Sequence, residues 1–147
     1  MDDVFIVSAC RTAVGKAKKG TLRYTRPDDM AAAVISEAVA RSTVPPERIG
    51  EVIMGCAFPE AAQGMNIARI AGMAAGLPDT VSAMTINRFC ASGIEAIALA
   101  AARIQTGMYD VAVAGGVESM SLVPMGGCRF SPNPRLTKEK PQVYTAM

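Results

Sequence analysis

The sequence predicts an α/β fold built on a mainly parallel sheet. Two observations carry that expectation. Short apolar runs alternate with segments of helical pattern, in the order β-α-β-α-β-α-β. Strands separated by helices imply a parallel sheet with right-handed crossovers. The second observation is the segment 93–104, GIEAIALAAARI, which is apolar or small on nearly every side. A helix lying over a single sheet keeps a polar face, and one without it is buried. Its alanines allow close approach by a second layer. The helix is therefore expected between two sheets, of which these residues supply one.

The elements follow in order. Residues 3–10 contain the continuous apolar run Val4, Phe5, Ile6 and Val7, which suits a strand buried on both faces. Residues 11–27 read as a loop with Gly15, Gly20 and a group of basic side chains. Pro27, Asp28 and Asp29 open a helix: proline is tolerated in the first turn, and carboxylates suit the positive end of the helix dipole. It runs to about Ser42, with Met30, Val34, Ala38 and Val39 on its inward face, and Pro45-Pro46 stops it. A second strand is expected over 49–58 around Val52, Ile53 and Met54. A short helix follows over 66–75, ended by Gly76-Leu77-Pro78. A third strand is expected over 80–87, the apolar helix over 91–105, and a fourth strand over 109–114, closed by Gly115-Gly116. After Met120, Pro124, Gly126, Gly127, Pro132, Pro134 and Pro141 predict irregular chain with no domain-closing element. A long tail of that kind on a compact domain suggests a truncated protein.

Composition narrows the class. The chain has 147 residues, half of them hydrophobic and 19% charged, which excludes a disordered or collagen-like polypeptide. Fifteen basic residues face 13 acidic ones, so no basic stripe argues for nucleic acid as a partner. No apolar stretch approaches the roughly 20 residues of a transmembrane helix, and the acidic N-terminus has no signal-peptide pattern. Four dispersed cysteines, Cys10, Cys56, Cys90 and Cys128, fit reduced thiols in the cytoplasm. With no histidine, this chain alone builds no His–Cys zinc site, Ser–His–Asp triad or Cys–His dyad, and no metal is expected.

The chemistry concentrates at Asn87-Arg88-Phe89-Cys90-Ala91-Ser92-Gly93. A strand ends near Asn87 and a helix starts near Ala91, so Cys90 falls in a sharp turn at a helix N-terminus. Free backbone N–H groups and the helix dipole favour a thiolate there. Ala91, Ser92 and Gly93 leave room for a substrate, as in the nucleophile elbows of acyl-transfer enzymes. From spacing alone, a nucleophile and a buried structural cysteine both remain open. Cys10 and Cys56 read as core, and Cys128 as a loop thiol. Glu118 lies at the C-terminal edge where α/β sites form, or simply caps the next turn. Gly15-Lys16 lacks the rest of a phosphate loop, and Gly115-Gly116 lacks a GxGxxG context. Arg11, Lys16, Lys18, Lys19, Arg23 and Arg26 are either a solvated loop or a cradle for a phosphate-bearing ligand.

Three motifs together resemble the thiolase family over essentially the whole chain. Ile6-Val7-Ser8-Ala9-Cys10-Arg11-Thr12-Ala13-Val14-Gly15-Lys16 is similar to the N-terminal strand and loop of thiolases. The Asn87–Gly93 segment resembles their nucleophilic-cysteine signature, and Gly115-Gly116-Val117-Glu118-Ser119-Met120-Ser121 resembles their motif after the fourth strand. The pair Asn87-Arg88 before the cysteine, and the run Arg135-Leu136 followed by Lys138-Glu139-Lys140, lean toward the degradative 3-ketoacyl-CoA thiolases. The resemblance implies a thiolase-like αβαβα sandwich, with residues 1–119 forming an N-terminal half-domain and 120–147 the start of a CoA-binding loop region. It implies that Cys90 accepts the acyl group, that its backbone N–H forms part of an oxyanion hole, and that Met147 lines the acyl pocket. Coenzyme A would be a co-substrate, with no tightly bound cofactor. The partners would be acyl-CoA and CoA, and the assembly a homodimer or homotetramer. The histidine, second cysteine and oxyanion-hole asparagine of the family belong to motifs absent from these 147 residues. A biosynthetic acetoacetyl-CoA thiolase and a non-catalytic thiolase-like binding or assembly module are the alternative readings.

Overall fold

The computed structural model describes residues 3–145. Three parallel strands, β1 (Glu51–Gly55), β2 (Ser82–Ile86) and β3 (Ala112–Gly116), form a sheet in the order β2-β1-β3. Glu51 pairs with Ser82 on one side and Ala112 on the other, and the register runs on to Gly55 between Ile86 and Gly116. Helices α1 (Pro27–Ser42), α2 (Ile67–Ala74) and α3 (Ser92–Gln105) frame the sheet. Handedness fixes their sides. The β1-α2-β2 and β2-α3-β3 crossovers travel in opposite directions, so right-handed connections put α2 and α3 on opposite faces.

Strand β1 is central and buried along its length. Alternation sends Val52 and Met54 toward α1 and α2, into a core with Ala31, Ile35, Ala68 and Leu77. It sends Ile53 the other way, against Ala96 and Ala100 of α3. Full burial of such a side chain stabilises the fold by roughly 1.5–3 kcal/mol. The two faces differ in completeness. On the α3 side the core is small, and Ile94 and Ile97 stay 67% and 41% exposed. This is the helix that the sequence places between two sheets, and here one sheet covers it. Glu51, buried at the start of β1, pairs with Arg103 of α3.

Local chemistry accounts for the helix ends. Pro27 opens α1, and the Arg26 guanidinium hydrogen-bonds Asp28 at 2.8 Å, holding that carboxyl below its usual range. Asn66 caps α2 by accepting from the Arg69 N–H at 3.3 Å. The buried residues of α1 are Pro27, Ala31, Ala32 and Ile35, about one position round from the predicted Met30, Val34 and Ala38 face. Those three side chains line a cavity instead.

That cavity marks the main departure from expectation. Residues 3–10 form no strand, and Phe5, Ile6 and Val7 are 76%, 76% and 66% exposed. An apolar run favours burial but cannot supply the neighbour that a ladder requires. Between this segment and β3 lies a space of about 890 Å³, reached by Val7, Val34, Ala101 and Val113. Three further corrections concern boundaries. Gly115 and Gly116 lie inside β3 rather than after it. Cys56 follows β1 rather than lying within it. The predicted irregular tail contains two short helices, α4 (Pro134–Glu139) and α5 (Gln142–Thr145). Pro134, read as a loop signal, is the first residue of α4, and the Asn133 side chain caps it by accepting from the Arg135 and Leu136 N–H groups. Met147 lies outside the described residues, as do Met1 and Asp2.

Candidate active site

The three strands end side by side, and the chain leaving each one gathers at that edge. After β2 come Asn87 and Arg88, one 3-10 turn over Phe89–Ala91, and then α3. Cys90 sits in the middle of the turn and is exposed. The strand-end Gly55 lets α3 begin there, and Gly116 lies in contact with its first turn. A methyl group on Gly55 would stand 2.5 Å from the Ser92 carbonyl carbon, and one on Gly116 would stand 3.6 Å from the Gly93 Cα. The first turn of α3 therefore rests directly on the ends of β1 and β3.

The turn holds strain next to its cysteine. Phe89 has φ +49°, a left-handed conformation that a bulky residue rarely adopts. Such a residue costs on the order of 1–3 kcal/mol unless its surroundings impose it. Here they do. The Phe89 N–H donates to Asn87 Oδ1 at 2.8 Å. Its carbonyl accepts from Ser92 Oγ at 2.6 Å, while Ser92 Oγ itself accepts from the Arg88 N–H at 2.8 Å. The Phe89 ring lies against Phe58, with centroids 6.3 Å apart. Ser92, read from sequence only as a small neighbour, is a buried tie within the turn.

A second network joins the exits of β1 and β3. Glu118 Oε2 accepts from the Ala57 N–H at 2.6 Å, and Oε1 accepts from Gln63 Nε2 at 2.6 Å. Gln63 is fully buried, and its own carbonyl oxygen accepts from the Ser119 N–H. Cys56 Sγ lies 3.9 Å from Glu118 Oε1. Burial, reinforced by the Glu118 charge, pushes the Cys56 thiol up to about 12. Cys56 is thus a protonated core thiol at neutral pH, as the sequence suggests. Glu118 bridges two strand exits rather than capping a turn.

The remaining candidates lie elsewhere. Cys10 is half-buried and donates to the Val34 carbonyl at 3.1 Å. Cys128 is exposed, and its backbone N–H donates to Glu60 Oε2 at 2.9 Å. The basic residues are spread along the loop at 11–26, with Arg23 over the Tyr24 ring and Arg26 on Asp28. Among the described residues, no cluster of His, Cys, Asp or Glu side chains is able to hold a metal ion, and no helix is long and apolar enough to cross a membrane. Sequence reasoning missed Gln63. Its Nε2 also donates to the nearby Phe58 carbonyl at 2.9 Å, but the partners that join the two exits, Glu118 and Ser119, are 55 and 56 residues away, so no local pattern signals them.

Fold and edge define the class first: a parallel α/β unit that exposes a cysteine at a strand-to-helix turn. Comparison with known proteins supplies the family. Residues 4–143 match the family model described as thiolase, N-terminal domain. The chain is 50% identical over 147 residues to the 3-ketoacyl-CoA thiolase of Bacillus subtilis (strain 168), covering 100% of this chain and 38% of that protein. It is 42% identical over 136 residues to the peroxisomal 3-ketoacyl-CoA thiolase 5 of Arabidopsis thaliana, covering 91% of this chain and 30% of that one. The crystal structure of the Bacillus anthracis acetyl-CoA acetyltransferase aligns with a TM-score of 0.74 at 40% identity, over 87% of this chain and 34% of that chain. The chain belongs to the thiolase family, as the three sequence motifs imply, and its fold is that of a thiolase N-terminal half. It spans 38% and 30% of the length of the two curated relatives.

Proposed function

We propose that Cys90 is the acyl-accepting nucleophile of a 3-ketoacyl-CoA thiolase to which this chain contributes the N-terminal portion. The observation that carries the reading is the exposed Cys90 on a braced turn at the strand-end edge of a thiolase-family fold. In the degradative direction the Cys90 thiolate attacks C3 of a 3-ketoacyl-CoA. The C2–C3 bond breaks, its electron pair stays on C2, and C2 takes a proton to leave as acetyl-CoA. The thiol of a second CoA then loses its proton and takes the acyl group from sulfur, freeing the cysteine. Two acyl transfers replace one difficult carbon–carbon cleavage. The family's catalytic histidine and second catalytic cysteine belong to motifs absent from these residues, so in this reading the general base and the acid for C2 come from outside them. The Cys90 N–H contributes one oxyanion-hole donor in this reading.

The same proposal takes residues 1–119 as the half-domain and 120–147 as the start of a CoA-binding region, with coenzyme A as co-substrate and a homo-oligomeric assembly. Free cysteines suit a reducing compartment, and the cytoplasm is proposed. Condensation of two acetyl-CoA units is the second reading, favoured by the name of the Bacillus anthracis neighbour. The test is to express the complete gene product and follow acetyl-CoA release from 3-ketoacyl-CoA of several chain lengths with free CoA. Thiolysis that is lost in Cys90→Ser is the expected result. A preference for acetoacetyl-CoA alone would favour the second reading. No turnover with any substrate would leave a non-catalytic module.

A further inference from the structure

We infer that Asn87 is a positioning residue for the Cys90 turn, with the Glu118 carboxylate as its anchor. The inference rests on the reading of Cys90 as the nucleophile.

The Asn87 amide works in both directions. Its Oδ1 accepts from the Phe89 N–H at 2.8 Å, and its Nδ2 donates to the Ala57 carbonyl at 2.8 Å. The Ala57 N–H in turn donates to Glu118 Oε2 at 2.6 Å. Residues from the exits of β2 and β3 thus grip a single residue from the exit of β1. Buried Gln63 holds the other Glu118 oxygen, which prevents the carboxylate from turning away. The linkage ends on Phe89, the residue at φ +49° immediately before Cys90.

This arrangement has a direct consequence. A left-handed phenylalanine relaxes to an ordinary conformation once its restraints go. Because Cys90 follows Phe89 directly, such a relaxation turns the thiol away from its set direction. A displacement of about 1 Å at a reacting atom is enough to lower a rate about 100-fold. Two features separate this role from a general structural one. Asn87 is exposed and takes no part in either apolar core. Both of its hydrogen bonds also terminate within a few residues of the nucleophile turn or its anchor. The amide meets both demands, whereas a carboxylate accepts from Phe89 but repels the Ala57 carbonyl.

The experiment uses the complete gene product. The acylated residue of the wild type is first identified by peptide mass spectrometry after reaction with acyl-CoA. Then kcat and KM are measured for Asn87→Ala, Asn87→Asp and Glu118→Gln. Asn87→Ala should lower kcat about 100-fold with KM changed by less than about twofold. Asn87→Asp keeps the Phe89 bond and should lose about tenfold, and Glu118→Gln should lose kcat in the same sense with KM unmoved. If Asn87→Ala does not fold, Asn87→Asp decides the matter. A wild-type kcat in the folded variants, or a loss wholly in KM, would overturn the positioning role while leaving Cys90 as nucleophile. An acyl group found on a residue other than Cys90 would instead overturn the underlying reading, and the positioning role with it.

Discussion

Cys56 and Cys90 leave the same edge of the same sheet, one after β1 and the other after β2. Cys56 is sealed in the core beside a carboxylate, and both burial and charge keep its proton on. Cys90 stands exposed on a turn that Asn87 and Ser92 brace from two sides. The strand edge alone therefore does not decide whether a thiol is buried or exposed. What the exit packs against makes the difference. Gly55 lets α3 begin within contact of the strand, and the turn before it lifts one sulfur clear. Gln63 and Glu118 fold the other exit inward.

The largest effect that would break this comparison is chemical. In the complete gene product, Cys90→Ser should lower acyl transfer by about 10⁴-fold or more, whereas Cys56→Ala should leave it within about tenfold. Steady-state thiolysis measures both, and a reversed order would exchange the roles of the two thiols. The next effect concerns the layers behind the site. Ile53→Ala should destabilise by roughly 2–5 kcal/mol, because it empties the contact between β1 and α3. Ile94→Ala in the complete protein should cost about 2 kcal/mol or more if a second sheet covers α3. A cost under about 0.5 kcal/mol by denaturant titration would leave Ile94 at the surface and contradict the sandwich.

The smallest effect is a pH slope. The unfolded chain releases the Cys56 proton near pH 8.5–9, while the folded protein keeps it to about 12. Between those values the folded state binds more protons, so stability falls as pH rises through the window. The slope from this one group is at most about 1.4 kcal/mol per pH unit, and it vanishes below about pH 8. Denaturant midpoints at pH 8 and pH 10.5 should show a smaller alkaline loss in Cys56→Ala than in the wild type. Equal losses would place the thiol outside the core.

Local chemistry was readable from sequence, and remote pairing was not. The start of α1 is written in Pro27, Asp28 and Asp29, and the Cys90 turn in the small residues that follow it. Each needs only a few neighbouring residues to define it. The apolar run at 3–10 signals burial, but its strand requires a partner no local pattern supplies. The inward face of α1 shifted because the cavity beside β3 leaves Met30 and Val34 only partly covered. The Gln63–Glu118 bond spans 55 residues, and its importance emerges only when the exits of β1 and β3 are brought together. The left-handed Phe89 is likewise invisible in a sequence that spends an ordinary aromatic residue there.

The central claim is that the exposed turn, and not its neighbours, carries the acyl group. The most direct measurement mixes the complete gene product with an acyl-CoA, quenches in acid, digests, and locates the acyl mass by tandem mass spectrometry. Each transfer should release one CoA thiol and leave one thioester on the protein. The account predicts that the thioester lies on the peptide containing Cys90, with Cys10, Cys56 and Cys128 unmodified. Acylation of any of those three with Cys90 free, or CoA release with no covalent acyl group on the protein, would contradict it.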